Sequence, residues 1–480
     1  MNDAIIDVPR HFTHTIHGQA KNSSTSFDVI NPATGLIFQQ APDATREQLD
    51  AAVAAARAAQ PGWNDLGWRE RGAFLKRYAG ALRGQAEALA HMLTLEQGKP
   101  LAESRVEIAR AVSNIEGYAE QFLVPVVIKE NSDERVTEHY QAAGVAAIIS
   151  PWNAPVNLFA IRMAPYLQTG STIIAKPSPY TPFTTLMMGE IARSIFPAGV
   201  VNVLSARDPF GQWMTEHPDI DRVSFTGSVR TGKKVMASAA GTLKRVGLEL
   251  GGNDPALVLN DADVKKVAPL IVAAALRNAG QICMAIKRVY VPDSLYEPML
   301  AALGQLVGAL KVGNGLTDGV QIGPLQNAMQ FEIVKSLLDD TRSIPGVRIV
   351  TGGNVLNSAG YFVQPTVVGD VPDDARIVQE EQFGPIIPVL RYSQLDEAIE
   401  RANSTPYGLG ASVWSSNPER AAQVGQGLNA GSVWVNAHML LDVDIPFGGW
   451  KESGMGRGNG VAGLLNCVES KIIRMQKKKA

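Results

Sequence analysis

Two residues of this 480-residue chain have the types and spacing for acyl chemistry. Cys283 ends Gln281-Ile282-Cys283, and Glu249 stands 34 residues earlier in Gly247-Leu248-Glu249-Leu250-Gly251-Gly252-Asn253. A thiolate attacks an electrophilic carbon, and a carboxylate base deprotonates the water that later releases the acyl group. Between them lie one strand-like and one helix-like run, a βα excursion that can return both side chains to one cleft. The glycines after Glu249 let backbone pass close to another group. Taken singly, a Cys is more often a small buried hydrophobe and a Glu a solvated charge.

A chain of this length exceeds one core, so two or more domains are expected. Lys plus Arg number 44 against 46 Asp plus Glu, a balance that gives no global pull toward nucleic acid or an anionic membrane. Partners are then small molecules or further copies of the chain. Two cysteines, Cys283 and Cys467, exclude a disulfide framework and a cysteine-based zinc site, and suit a reducing cytoplasm. No metal site is expected. The segment MNDAIIDVPRHFTH lacks a basic stretch followed by an apolar core, and no run approaches the roughly 18 apolar residues of a membrane span.

Residues 1–44 read as irregular chain and short strands. Thr45 with Gln48 forms a capping-box pattern, opening a helix that Pro61-Gly62 is expected to stop near Gln60. Helical patterns follow to about Gln97 and from about Ala102 to Phe122. The polar stretch from about Val124 to Tyr140 reads either as a disordered loop or as a projecting hairpin. Apolar runs at Val145–Ile149, Ser171–Lys176, Val200–Leu204 and Arg222–Phe225 then alternate with helices near 183–195, 208–216 and 229–239. That alternation predicts a parallel, doubly wound sheet. A second alternating region, from about Pro255 to Val435, predicts an α/β domain carrying Cys283.

Several motifs fall at ends of these strands. Pro151-Trp152-Asn153-Ala154-Pro155 follows the first run, where sheets of this kind place ligand loops. There Asn153 either holds a turn or offers a neutral donor to a developing oxyanion. Lys176 closes the second run, either exposed or at a ligand. Phe225-Thr226-Gly227-Ser228 leads into a helix by way of Gly232, and free N–H groups at a helix start suit a diphosphate. Glu380-Glu381-Gln382-Phe383-Gly384-Pro385 reads on its own as a charged turn before a strand.

LELGGN followed at this distance by GQIC resembles the active-site signature of the NAD(P)-dependent aldehyde dehydrogenase superfamily. Matching segments run from about Asn31 to about Lys471. The resemblance implies an α/β fold with a Rossmann-type cofactor domain, an α/β catalytic domain and a small β oligomerisation element. These would comprise residues 1–123 with 143–252, residues 253–462, and residues 124–142 with 463–480.

It further implies Cys283 as nucleophile, Glu249 as base, and an oxyanion site made by Asn153 with the Cys283 N–H. For the cofactor, NAD or NADP, it implies Trp152, Lys176 at the adenosine ribose, Gly227, Ser228 and Gly232 at the diphosphate, Glu381 at the nicotinamide ribose, and Phe383 near the ring. Pro179 departs from the family, where a Glu often binds the adenosine ribose. Its absence removes a hydroxyl acceptor and a charge that would repel a 2′-phosphate. Gly458 departs too, standing where many relatives have a Glu linked to proton relay or pocket structure.

By position, Ala154 and Ile161 would line the aldehyde tunnel in place of bulkier aromatics, with Ile282 and Met284 flanking the nucleophile and Phe447 near the substrate funnel. The expected substrate is a medium aliphatic or aromatic aldehyde. Water is the expected acyl acceptor, since coenzyme A-acylating relatives generally lack the base. A cytoplasmic homodimer or homotetramer without nucleic acid or membrane partners completes the expectation. Two other classes stand beside it: a thiol esterase without redox chemistry, which needs no cofactor, and a silent binding or structural protein of the same fold, which turns nothing over.

Overall fold

The computed structural model describes residues 11–477. Its fold is mixed α/β and is built on two large sheets. Five strands at the centre of the first, Arg245–Glu249, Arg222–Thr226, Val145–Ile149, Thr172–Lys176 and Val201–Val203, run parallel in that spatial order. Val145–Ile149 is buried at every residue, as a continuous apolar run between two helical layers should be. Antiparallel strands close both sides: Gly454–Met455 beyond Arg245–Glu249, and His14–Ile16 with Gln19–Lys21 beyond Val201–Val203.

The second sheet has seven strands, ordered Arg348–Thr351, Thr366–Gly369, Ile386–Tyr392, Ile286–Pro292, Asp254–Val258, Gly410–Trp414 and Ser432–Val435. All pair in parallel except the first. The expected doubly wound, parallel arrangement is thus present with antiparallel edges added.

One expectation changes. The first helix does not stop near Gln60 but runs from Arg46 to Asp65 through Pro61. Trp63 holds that last turn, its ring buried and its Nε1 donating 3.0 Å to the Leu167 carbonyl. Burial of an indole outweighs the one helical hydrogen bond that proline removes. Of the two readings for the stretch after Val124, the hairpin is present: Val126–Glu130 pairs with Glu134–Ala142, which pairs in turn with Val468–Gln476 along nine register positions. The chain ends in Lys477-Lys478-Lys479-Ala480, a basic run whose composition reads as a solvated end; it lies outside the described residues beyond Lys477, whose Nζ donates to Glu130. Residues 1–10, opening the expected irregular stretch, also lie outside them. Among the described residues no helix is long and apolar enough to cross a membrane.

The two sheets meet end to end. Loops at carboxyl ends of the first sheet's parallel strands touch the loops that enter strands Ile286–Pro292 and Ile386–Tyr392 of the second, joining Asn153 to Gln281, Gly252 to Glu381 and Trp152 to Phe383.

Candidate active site

Cys283 lies in a loop that the chain reaches through unusual backbone. After the Val264–Leu276 helix, Asn278 and Ala279 take φ of 52° and 53°, and Gly280 follows at 73°. Left-handed backbone is costly for alanine and persists where surroundings over-determine it. Here they do. The Asn278 N–H donates to Glu103 at 2.9 Å, its Nδ2 to the Asn153 carbonyl at 2.9 Å, and the Gln326 N–H to Gln281 Oε1 at 2.9 Å. A Cβ on Gly280 would meet the Gly384 carbonyl at 2.1 Å, so only glycine fits.

Asn153 is locked to this loop from the other sheet. Its Nδ2 donates 2.9 Å to the Gln281 carbonyl, while its own carbonyl accepts from Lys99 Nζ at 2.9 Å. The Cys283 side chain is half-buried. Burial, then the charges of Glu381 and Asp254, push its thiol up to about 12, against the opposing Met284 N–H and Lys287. At rest the thiol keeps its proton.

Glu249 ends strand Arg245–Glu249 and is buried. No hydrogen bond joins it to Cys283 among the described residues. Its carboxylate instead forms an ion pair with Arg162, in a cavity also lined by Ile161, Phe447, Tyr118, Tyr166 and Cys467. The backbone after Glu249 does reach the nucleophile: a Cβ on Gly252 would stand 2.3 Å from the Cys283 carbonyl oxygen, and one on Gly251 would stand 2.2 Å from a Glu381 carboxylate oxygen.

Three residues expected at a cofactor, Trp152, Glu381 and Phe383, lie at the same junction. Trp152 and Phe383 meet edge to face with centroids 5.3 Å apart, joining the Pro151–Pro155 and Glu380–Pro385 motifs. Glu381 Oε1 accepts from the Gly252 N–H at 3.1 Å; burial raises its carboxyl, and Lys287 opposes that rise. Lys176 is buried, which excludes the exposed reading. Burial lowers its ammonium to about 8, and its Nζ donates 3.3 Å to the Pro177 carbonyl. Pro179 sits half-buried beyond it.

Ser228 caps the Val229–Ala240 helix, accepting from the Thr231 N–H at 3.3 Å, and is exposed at a helix start. Gly232 packs on Leu250 and Gly227 on Phe225, each too close for a side chain. An open helix N-terminus, an aromatic pair and a buried lysine are groups of the kinds that suit a dinucleotide.

Of the residues expected in the tunnel, Ile161 and Phe447 share the Glu249 cavity. Ala154 sits just before the Pro155–Gln168 helix, and Ile282 and Met284 pack partly against the second sheet's core, so these three lie outside that lining. Sequence reasoning missed three neighbours. Arg162 is the one charged residue in the buried helix PVNLFAIRMAPYLQ, and a charge there demands a partner; that signal was available. His438 Nε2, 2.8 Å from the Met284 carbonyl, and Lys287 carried none.

This fold and junction define a dinucleotide-dependent oxidoreductase. Residues 19–473 match the model of the Aldehyde dehydrogenase family, and the chain belongs to that family. It is similar to succinate-semialdehyde dehydrogenase [NADP(+)] GabD of Escherichia coli K12, 37% identical over 94% of this chain and 95% of that protein. The structure is similar to the NAD+ complex of an aldehyde dehydrogenase from Bacillus cereus, with a TM-score of 0.95, 35% identity, and coverage of 98% and 97%. It is equally similar to lactaldehyde dehydrogenase from Escherichia coli, at TM-score 0.95 and 34% identity, covering 98% and 100%. The protein is therefore an NAD(P)-dependent aldehyde dehydrogenase, and the resemblance read from LELGGN and GQIC holds over nearly its whole length.

Proposed function

We propose that this enzyme oxidises a medium aliphatic or aromatic aldehyde to the carboxylic acid through a thiohemiacetal and then a thioester on Cys283. The observation that carries this reading is the Asn153–Gln281 hydrogen bond. It fixes a neutral amide beside the nucleophile loop, with a second N–H left for an oxyanion.

Cys283 gives up its thiol proton to solvent, its Sγ bonds to the aldehyde carbon as the C=O π bond opens, and the carbonyl oxygen becomes the oxyanion held by Asn153 and the Cys283 N–H. Lys287 and the Met284 N–H are the groups here that favour the thiolate. A bound nicotinamide would supply the hydride acceptor for that carbon. Glu249 then takes a proton from the water that attacks the thioester, and the C–S bond breaks. Trp152, Lys176, Gly227, Ser228, Gly232, Glu381 and Phe383 hold the dinucleotide, and Pro179 leaves room for NADP. Ala154, Ile161, Ile282, Met284 and Phe447 shape the aldehyde's route, and their uncharged, apolar side chains support an uncharged substrate.

The GabD similarity supports a second reading, an aldehyde bearing a carboxylate. Arg277, beside the Asn278 that touches Asn153, is in no ion pair among the described residues, and its charge is felt at Arg110 and Glu103. On the first reading residues 1–123 with 143–252 hold the cofactor, residues 253–462 carry Cys283, and residues 124–142 with 463–480 join subunits of a cytoplasmic homodimer or homotetramer.

The test is formation of reduced cofactor from NAD or NADP across a panel of aliphatic, aromatic and carboxylated aldehydes, with Cys283→Ala alongside. Signal from the uncharged aldehydes that vanishes in Cys283→Ala is expected. A response confined to carboxylated aldehydes selects the second reading. Ester hydrolysis with no reduced cofactor makes the protein a thiol esterase.

A further inference from the structure

Arg162 turns from the Pro155–Gln168 helix into the cavity behind Glu249 and pairs with its carboxylate. Groups facing this pair come from every wall. Tyr118 projects from the Leu101–Ala119 helix, Tyr166 from Arg162's own helix, Cys467 from the segment before the last strand, and Arg457 from the C-terminal loop; Cys283 is close enough to feel the guanidinium's charge.

Burial raises both phenols and pushes both thiols to about 12, so these four groups are neutral near pH 7. Arg457 Nη1 is directed at the carbonyls of Gly431 and Gly448. Arg162 is thus the counter-ion of Glu249, and among the described residues it pairs with no other carboxylate.

Gly458 completes the arrangement. A Cβ there would stand 2.8 Å from Arg162 Nη1, so the guanidinium occupies the space a side chain would take. The glycine's φ lies outside the left-handed region, so its backbone does not require glycine. It cannot retreat either, because Gly458 and Phe447 exchange both backbone hydrogen bonds, at 2.9 and 2.7 Å.

We propose that Arg162 is a positioning residue that stores Glu249 as a carboxylate behind the nucleophile, and that Gly458 belongs to the same device by leaving the guanidinium its room. The inference rests on reading Glu249 as the water-activating base. A fixed cation favours the ionised carboxyl, whereas the same burial without it favours the protonated one. Stored this way, Glu249 is ready to accept a proton at a pH where a bare buried carboxyl already carries one. The proton it takes from water leaves for solvent when the carboxyl returns to the guanidinium.

The test uses the full-length enzyme and the variants Arg162→Met, Arg162→Lys and Gly458→Ala. Ionisation of Glu249 is followed by infrared difference titration against Glu249→Gln, and the pH profile of steady-state turnover is measured beside the first-turnover burst of reduced cofactor. Arg162→Met should raise the pH at which Glu249 ionises by about one to three pH units. Gly458→Ala, which keeps the cation but displaces it, should move it the same way.

The acid limb of steady-state turnover should follow, the burst should keep its size, and Arg162→Lys should restore most of the shift. Glu249 titrating at one pH with and without the guanidinium overturns the inference. So does a shift in Arg162→Met that lysine fails to reverse. If the titration moves as expected but no form reduces cofactor, the storage pair stands and the dehydrogenase reading of Glu249 fails.

Discussion

Gly252 lies against the carbonyl of Cys283 so closely that a single added methyl would stand 2.3 Å from its oxygen. The base's strand and the nucleophile's loop, which come from different sheets, are therefore in backbone contact. Gly252→Ala should push the loop away while leaving the two cores intact. Since an ångström of misplacement costs on the order of 10²-fold in rate, we expect a loss of that size in kcat with little change in melting temperature. Steady-state kinetics and a thermal melt check it.

Asn153 ties the loop, and on the proposed reading it also donates to an oxyanion. Asn153→Ala removes both, and a fall of about 10²–10³ in kcat is expected. Asn153→Asp keeps the shape but sets an acceptor against the Gln281 carbonyl, so it should do no better. A rate within tenfold of wild type for either variant argues against an oxyanion role.

On the proposed reading Pro179 stands at the cofactor's adenosine ribose. Pro179→Glu sets a carboxylate where a 2′-phosphate would lie, and a repulsion of about 1.4 kcal/mol there corresponds to roughly tenfold. The ratio of kcat/KM for NADP over NAD should fall by at least that factor, which paired cofactor titrations measure.

Acid stability should depend on His14. It is buried, with Nε2 2.8 Å from Ser23 Oγ and Nδ1 accepting from the Ser205 N–H at 3.3 Å. Burial holds its pKa down at about 4 against 6.5 for the free side chain, the nearby charge of Asp43 opposing. The unfolded chain therefore binds this proton first as pH falls. The contribution is complete above about pH 6.5 and is lost between there and pH 4, at most about 3 kcal/mol. Melts at pH 7.5 and 4.5 should show a smaller difference in His14→Gln than in wild type.

What the sequence disclosed was whatever local pattern determines. Val145–Ile149 is a strand at the residues its apolar run marks, and Thr45 with Gln48 forms the capping box their spacing announces. LELGGN and GQIC were legible because glycine freedom and a thiol carry meaning in a few residues. Trp63 was not, because the force that carries its helix through Pro61 comes from Leu167, far along the chain. Burial of Lys176 and the pairing of Arg162 with Glu249 were hidden for the same reason: each depends on which elements pack around a side chain. Gly458 announced only that something was missing; the guanidinium filling its place is a tertiary fact.

Strand Arg245–Glu249 is covered on its outer side by Gly454–Met455, and the Leu250 N–H bonds to the Ser453 carbonyl at 2.9 Å. Gly454–Met455 is the last strand of that sheet to be synthesised. Cys283, Asn153 and the residues proposed to hold the dinucleotide leave the ribosome earlier, yet the edge beside Glu249 stays open until this segment arrives. On the roles proposed above, a chain that stops before Gly454 carries the nucleophile's loop while the strand ending at Glu249 lacks its outer neighbour.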